Sequence, residues 1–282
     1  MISFCIPTLN RLDSLKSCIS HIEKSKDLFT YKIIVADGGS TDGTVEYLKE
    51  HKISFISNVK GVVYAINLCF YKAKSDLIIT INDDMDVVPS TFKKCIELFK
   101  KDESIGLIAL KMVERRYDNY PNVQVDKNGF VLSKVYIVRK SILKQIGFND
   151  EHFKTYLIDL DMHLSFLDNG YSTCVSRDVG VIHHRCERNR DSYPETDKEL
   201  YDYQIDYFNK KWEKFKPCRR TLFFYLRKCM HCRLIRFLMR NQNRLFIRLY
   251  DYVLDNCSRF RYKKMDKDFY LFQNYKLKFH VK

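Results

Sequence analysis

The sequence predicts an α/β fold: a doubly wound, mostly parallel sheet flanked by helices, followed by a basic appendage. Three observations predict it. Short apolar runs rich in Ile and Val alternate with segments whose apolar residues recur at helical spacing. Carboxylates and turn residues stand directly after those runs, where such sheets present groups to ligands. From Lys214 to Lys282 there are 19 Lys and Arg against 4 Asp and Glu, so this segment carries the whole charge excess of a 282-residue chain with a formal net charge of +14. The body is therefore near neutral, and only the tail invites an acidic partner.

Ile2 to Ile6 reads as the first strand and Pro7 to Arg11 as the turn after it. Leu12, Leu15, Cys18, Ile19 and Ile22 mark a helix face. Tyr31 to Ala36 is a second strand. Asp37-Gly38-Gly39-Ser40-Thr41-Asp42-Gly43-Thr44 then leads into a helix with Val45 and Leu48. Its glycines permit a tight turn and close ligand approach; Ser40 or Thr41 suits the helix cap, and Asp42 suits the positive helix end. Asp37, at the strand tip, is placed to accept hydrogen bonds from a base or ribose. The same segment also reads as a well-capped turn and nothing more. Ile53 to Ile56 is a third strand, and a helix covers Gly61 to Ala73.

Asp76 to Ile81 is the fourth strand, its β-branched residues suited to a sheet covered on both faces. It stops at Asn82. Asp83, Asp84 and Asp86 follow, and Pro89 and Ser90 open a helix with Phe92, Cys95, Ile96 and Phe99 on one face. Carboxylates that repel one another call for a cation, and Mg²⁺ takes one or two of them and completes its shell with waters and phosphates. A solvated acidic loop is the alternative reading. Two adjacent strand tips, Asp37 and Asp83/Asp84, suit a nucleoside on one side and its diphosphate, through a metal, on the other.

In the second half, Ile105 to Ala109, Val123 to Val125 and Val131 to Val138 read as strands, with Asp126-Lys127-Asn128-Gly129 as a turn. Residues 139–146 form a short helix, and Gly147 to Phe153 a loop. Tyr156 leads into a helix that runs to Gly170, with Asp159 and Asp161 in its first turn, where the dipole favours acids. His163, one turn after Asp159, reads as a surface or supporting histidine rather than a metal ligand. Ser172 to Ser176 and Val179 to Ile182 are short strands ending at His183-His184-Arg185. Adjacent side chains on extended backbone point oppositely, so one of these histidines faces any site there. Leu200, Tyr203, Ile205, Tyr207, Phe208 and Trp212 predict a closing helix within Glu195 to Phe215.

Four pieces in this order, Ile6-Pro7-Thr8-Leu9-Asn10-Arg11, Asp37 to Thr44, Gly61 to Asn67, and Asn82-Asp83-Asp84 five residues before Pro89, resemble family 2 of the glycosyltransferases. These are inverting enzymes with the GT-A fold, a Rossmann-like, mostly parallel sheet flanked by helices. The resemblance runs over about residues 1–215. It implies a nucleotide-sugar-binding half (1–104), an acceptor half (105–215) and a tail outside it (216–282). It implies that Pro7, Thr8, Asn10, Arg11, Asp37, Gly38 and Asn67 contact the donor, with Asp83 on the ribose or supporting its neighbour. Asp84 ends the DxD-type motif and is the expected ligand of Mn²⁺ or Mg²⁺, with Asp86 a lesser candidate and His183 completing the shell. Arg185 or Arg188 would stabilise the departing diphosphate. Gly147 to Phe153 resembles the Gly-Phe-Asp-Glu segment of the family, so Asn149, Asp150 and Glu151 are expected on the acceptor side. Asp159 matches the general base, which typically contributes roughly 10²–10⁴-fold. Asp161 is expected to be structural or to orient the acceptor. Asn82, Ile66, Asn149 and Ile158 depart from the pattern, standing where the family has Asp, Arg, Asp and Glu.

The expected function is therefore metal-assisted, inverting transfer of a sugar from a nucleotide-diphospho-sugar, a UDP-sugar by resemblance, to a hydroxyl of a glycan or lipid-linked glycan. A sugar nucleotidyltransferase would share the carboxylates but wants a Gly-rich phosphate loop, which Ile6 to Arg11 is not. A catalytically inactive adaptor, keeping the body as scaffold and acting through the tail, is the other reading.

In the tail, Arg236, Arg240, Arg244 and Arg248 recur every fourth residue, with Phe237, Leu238, Leu245, Phe246, Leu249 and Tyr252 beside them. A basic amphipathic helix of this kind suits an anionic membrane surface; packing on the body or on a second subunit is the alternative. No nucleic-acid motif accompanies the charge. Cys229-Met230-His231-Cys232 is half of a zinc site without a second pair. The ten cysteines are scattered, mostly inside apolar runs, and read as reduced core residues. The chain starts directly in a strand, which predicts no signal peptide, and no apolar run has the length of a bilayer span. The expected location is the cytoplasm, with the tail allowing peripheral attachment to the membrane.

Overall fold

Four parallel strands form the first half of the sheet: β1 (Ile2–Thr8) lies between β2 (Tyr31–Asp37) and β4 (Leu77–Thr80), and β3 (Ser54–Ile56) pairs on β2. Both faces are covered, which is why these strands read as continuous apolar runs. Along β1, Ile2, Phe4 and Ile6 join one core and Cys5 the other; along β4, Leu77 and Ile79 take the first side and Ile78 the second. On the first side pack α1 (Leu12–Glu23), α2 (Thr44–Glu50) and α4 (Pro89–Lys101), through residues such as Leu15, Ile19, Leu48, Phe92 and Phe99. On the second side lie α3 (Val62–Lys72), α5 (Lys140–Ile146) and α6 (Ile158–Asp168), through Phe70, Leu143 and Phe166. The computed structural model describes residues 1–114, 120–121, 124–125, 131–132, 135–184, 198–213, 262–264 and 269–272.

The second half of the sheet is mixed. β10 (Tyr136–Arg139) runs antiparallel between β4 and β6 (Ile105–Glu114), and β6 is parallel to β11 (Ser172–His183). Val131 to Val138, expected as one strand, is two pieces: β10, and β9 (Val131–Leu132), which pairs with β8 (Gln124–Val125) outside the main sheet. β7 (Tyr120–Pro121) pairs with the end of β6. Ser172–Ser176 and Val179–Ile182, expected as two strands, are one, because register shifts between Val175 and Val181 absorb the irregular residues without ending the pairing. β5 (Met85–Val87), inside the expected acidic loop, pairs antiparallel with the end of β11. That pairing carries the acidic segment to the histidines.

The helix expected to close the body is α7 (Lys198–Lys211), followed directly by Trp212. Trp212 packs on Leu160 and Leu164 of α6. Beyond it, the tail departs from its helical expectation where it is described. β12 (Tyr262–Lys264) and β13 (Phe269–Phe272) form an antiparallel pair, and β13 adds to β11. Phe269-Tyr270-Leu271-Phe272 is rich in residues that favour a pleated surface, and it covers an edge that β11 would otherwise leave open. The arginine stripe of residues 236–248, the Cys229–Cys232 segment and Arg185 and Arg188 lie outside the described residues.

Candidate active site

The carboxyl ends of β1, β2 and β4 converge, as parallel pairing requires. Gly38 N donates to Thr8 O at 2.9 Å, joining the first two tips. The two turns are then laced together. Asn10 sits at φ 52°, tolerable for asparagine, and its Oδ1 accepts from Thr41 N at 2.8 Å; Ser40 Oγ accepts from Asn10 N and Asp42 Oδ2 from Leu12 N, both at 2.8 Å. Gly39 has φ 101°, a conformation that favours glycine. Asp37 is fully buried and accepts from the amides of Gly39 and Ser40 at 3.0 and 3.1 Å. Its first role is thus to shape the turn. Pro7 lies half-buried in β1, one residue before Thr8.

The acidic segment meets these turns. Thr8 Oγ1 donates to Asp83 Oδ2 at 2.7 Å, and Arg11 Nη1 stands 2.9 Å from Asp83 Oδ1 and 3.3 Å from Asp84 Oδ2. From the other side His183 Nε2 stands 3.2 Å from Asp84 Oδ1, and His184 N donates to Asp84 O at 2.9 Å. Burial pushes the Asp83 carboxyl up; Arg11 and Thr8 oppose this without cancelling it, and the neighbouring Asp84 charge adds to it. Burial also disfavours the Asp84 charge, but His183 and Arg11 outweigh it and hold this carboxyl below its ordinary range. The two neighbours are thus tuned apart, with Asp84 the stronger anion. Asn82, by contrast, is exposed, and this explains how the segment tolerates an amide there.

Asp84 and His183 fit a divalent cation. Asp84 Oδ1 is buried without a well-formed hydrogen bond among the described residues, and an imidazole nitrogen faces it. Among the described residues no three His, Cys, Asp or Glu side chains are arranged as a self-sufficient metal cluster. Mg²⁺ needs no such cage, because substrate phosphates supply the remaining oxygens.

Asp86 is engaged differently. His21 Nδ1 of α1 lies 3.0 Å from its Oδ1 and His184 Nε2 lies 2.5 Å from its Oδ2. The expectation that only one of His183 and His184 faces this segment is therefore corrected. Each reaches a carboxylate of the same segment, His183 the one at Asp84 and His184 the one at Asp86. His21 carried no signal in the sequence, and the contact of His184 with Asp86 could not be read there because the β5–β11 pairing sets it.

The acceptor-side residues form two further groups. Asn67 Nδ2 donates to Asn149 O at 2.9 Å and to Glu151 Oε1 at 3.0 Å, while Asn67 Oδ1 accepts from Asn149 N and Nδ2 at 3.0 and 3.1 Å. Asn67, expected on the donor, is thus spent on the loop of the second half. Asp150 accepts from Lys211 Nζ at 2.7 Å and Tyr207 OH at 2.9 Å; Lys211 Nζ also lies 2.8 Å from Asp161 Oδ1, which accepts from Trp212 Nε1 at 2.7 Å. Burial would raise the Asp150 carboxyl, but Lys211, His152 and Tyr207 hold it well below its usual range. Asp161 is more deeply buried, so desolvation wins there and its carboxyl is raised despite the same lysine.

Asp159 is half-buried in the first turn of α6. Leu157, the helix cap, has φ 65°, a strained conformation costing about 1–3 kcal/mol. Gln204 of α7 offsets that strain. Its side chain is fully buried, and Oε1 accepts from the successive amides of Lys154, Thr155 and Tyr156 at 2.8, 3.1 and 3.2 Å. Nothing in the sequence marked Gln204.

A sheet of this mixed topology, with tuned carboxylates at a parallel strand tip and a second acidic helix start beyond, defines a protein of the GT-A class. The sequence model of glycosyl transferase family 2 matches residues 3–163, and the chain belongs to that family. Chondroitin synthase of Escherichia coli is 28% identical over 114 residues, covering 38% of this chain and 17% of that protein. An undecaprenyl-phosphate 4-deoxy-4-formamido-L-arabinose transferase of Aeromonas hydrophila is 29% identical over 107 residues, covering 34% of this chain and 33% of that one. The matched segments thus span a third or less of these relatives. Among solved structures, a mannosyltransferase of Pyrobaculum calidifontis in complex with GDP-Man and Mn²⁺ superposes with a TM-score of 0.59 at 15% identity, covering 77% of this chain and 65% of that one. Residues 1–349 of S. aureus TarS with UDP-GlcNAc give 0.59 at 17%, covering 72% and 64%. These likenesses establish the GT-A fold. No helix among the described residues is long and apolar enough to cross a membrane.

Proposed function

We propose that the chain transfers a sugar, with inversion, from a nucleotide-diphospho-sugar to an acceptor hydroxyl on a glycan or lipid-linked glycan. The observation that carries this reading is the convergence of Thr8, Arg11 and His183 on Asp83 and Asp84 at the parallel strand tips. Complexes of its structural neighbours with UDP-GlcNAc and with GDP-Man and Mn²⁺ support a nucleotide-sugar donor and a divalent ion. The nucleoside lies against the laced turns of residues 8–11 and 37–41, with Asp37 beneath it. Mn²⁺ or Mg²⁺, held by Asp84 and His183, would supply charge neutralisation at the diphosphate. Arg11 lies where it can exchange its carboxylate partners for phosphate oxygens.

Asp159 takes the proton of the acceptor hydroxyl as that oxygen bonds to the anomeric carbon and the bond to the diphosphate breaks on the opposite side. Asn149, Asp150 and Glu151 border the acceptor, and Asp161 holds α6 to α7. The test is hydrolysis of a panel of nucleotide-sugars with and without Mn²⁺, comparing the intact chain with Asp84→Ala, together with calorimetry of UDP, GDP and dTDP. Metal-dependent release from one donor, lost in the variant, is expected. No release and no metal-dependent nucleotide binding would overturn the reading in favour of a non-catalytic adaptor. Asp159→Asn is expected to keep donor binding and lose turnover to an identified acceptor.

A further inference from the structure

The exposed face of α7 carries aromatic rings that the transfer chemistry does not use. Tyr203 is 51% exposed. Tyr203 stacks on Tyr207 with centroids 6.5 Å apart and planes 20° apart, and Tyr207 stacks on His152 at 4.7 Å and 17°. Tyr207 and His152 are fixed before any ligand arrives. Tyr207 OH donates to Asp150 Oδ2, His152 Nδ1 is 2.8 Å from Asp150 Oδ1, and Phe153 supports Tyr207 from below at 5.3 Å. Rings locked in this way lose little side-chain freedom when they bind.

The surroundings say what the stack fits. A pyranose ring has an apolar C–H face and a polar edge. The stack offers flat ring faces, with the exposed Glu151 beside His152. Glu199, Asp202 and Asp206 on the same helix are balanced in number by its lysines, so the helix is near neutral and suits an uncharged sugar face. The face is also continuous with the candidate site. Lys211 joins Asp150 to Asp161 on α6, and Gln204 of α7 pins the segment that leads to Asp159. We infer that Tyr203, Tyr207 and His152 form a saccharide subsite that holds acceptor sugar residues beyond the reacting one. The inference rests on the glycosyl-transfer reading and specifies its acceptor as an oligosaccharide.

The experiment probes an immobilised array of mono- and oligosaccharides with the intact chain and with Tyr203→Ala and Tyr203→Phe. Oligosaccharides should be retained in preference to their monosaccharides. Affinity should fall about tenfold in Tyr203→Ala and stay near wild type in Tyr203→Phe, since the ring face is the contact. Retention of no glycan by the wild type, or equal retention by Tyr203→Ala, overturns the subsite. Nucleotide-sugar hydrolysis on the same samples separates the two readings and should be unchanged in Tyr203→Ala. Hydrolysis without glycan retention leaves the transferase and removes the subsite. Glycan retention without hydrolysis or nucleotide binding leaves a saccharide-binding face and removes the transferase.

Discussion

Trp212 Nε1 donates to Asp161 Oδ1 at 2.7 Å, so the residue that follows α7 is bonded to the helix whose first turn carries the candidate base. Lys211 Nζ lies against the same carboxylate and against Asp150. Asp161 is therefore a bracket between α6 and α7. Asp161→Ala would leave the indole N–H without its acceptor and a half-buried ammonium with one partner fewer. The expected cost is about 2–3 kcal/mol of stability, read by urea denaturation. Donor hydrolysis per folded molecule should persist, because no donor group is touched.

The parallel half of the fold was legible because its strands are buried on both faces and end abruptly in turn residues. The antiparallel entry of β10 was not, since a short apolar strand carries no mark of its direction. Asp83 and Asp84 could be found because their charges interrupt an apolar run. Gln204 and His21 could not, because a polar residue distant in sequence from its partner shows that partner only once the sheet and helices are assembled. Asn67 shows the limit of reading a contact from a motif. Its place was legible, but its amide is taken by Asn149 and Glu151. The helical tail expectation failed at β12 and β13 for a related reason: an aromatic-rich tetrapeptide takes the structure of the edge it meets.

Asp86 holds His21 and His184, and the His184 amide in turn bonds Asp84 O. Asp86→Ala should loosen the end of β11 and with it His183. On the proposed reading, the Mn²⁺ concentration for half-maximal nucleotide-sugar hydrolysis rises several-fold, and the maximal rate at saturating Mn²⁺ is largely kept. A loss of maximal rate with no change in metal requirement would instead place Asp86 among the groups that act on the donor directly.

Gln204 accepts three successive amides next to a strained Leu157. Gln204→Leu removes the acceptor while keeping the bulk. Three backbone N–H groups would then lose this acceptor, and the segment before Asp159 is expected to relax. Turnover with acceptor should fall about tenfold or more, while donor hydrolysis and its Michaelis constant change little. Gln204→Glu, which keeps an oxygen at the same place, should restore much of the rate.

His163 supplies a stability test that is independent of any substrate. It is 4% exposed and packs edge-on against Tyr136 at 6.3 Å. Burial lowers its pKa from 6.5 to about 4. In the unfolded chain the imidazole protonates as pH falls through about 6.5, whereas in the folded chain it stays neutral until about pH 4. The unfolded state thus binds more protons across that window, so stability falls as pH drops through it and levels off below about 4. At about 1.4 kcal/mol per unit of pKa, the loss between pH 7 and pH 5 is about 2 kcal/mol. His163→Leu removes the titrating group and fills similar space. Urea denaturation at the two pH values should therefore show a smaller difference for the variant than for the wild type, by about that amount. An equal difference would mean that His163 reaches solvent, or takes up a proton, in the folded chain.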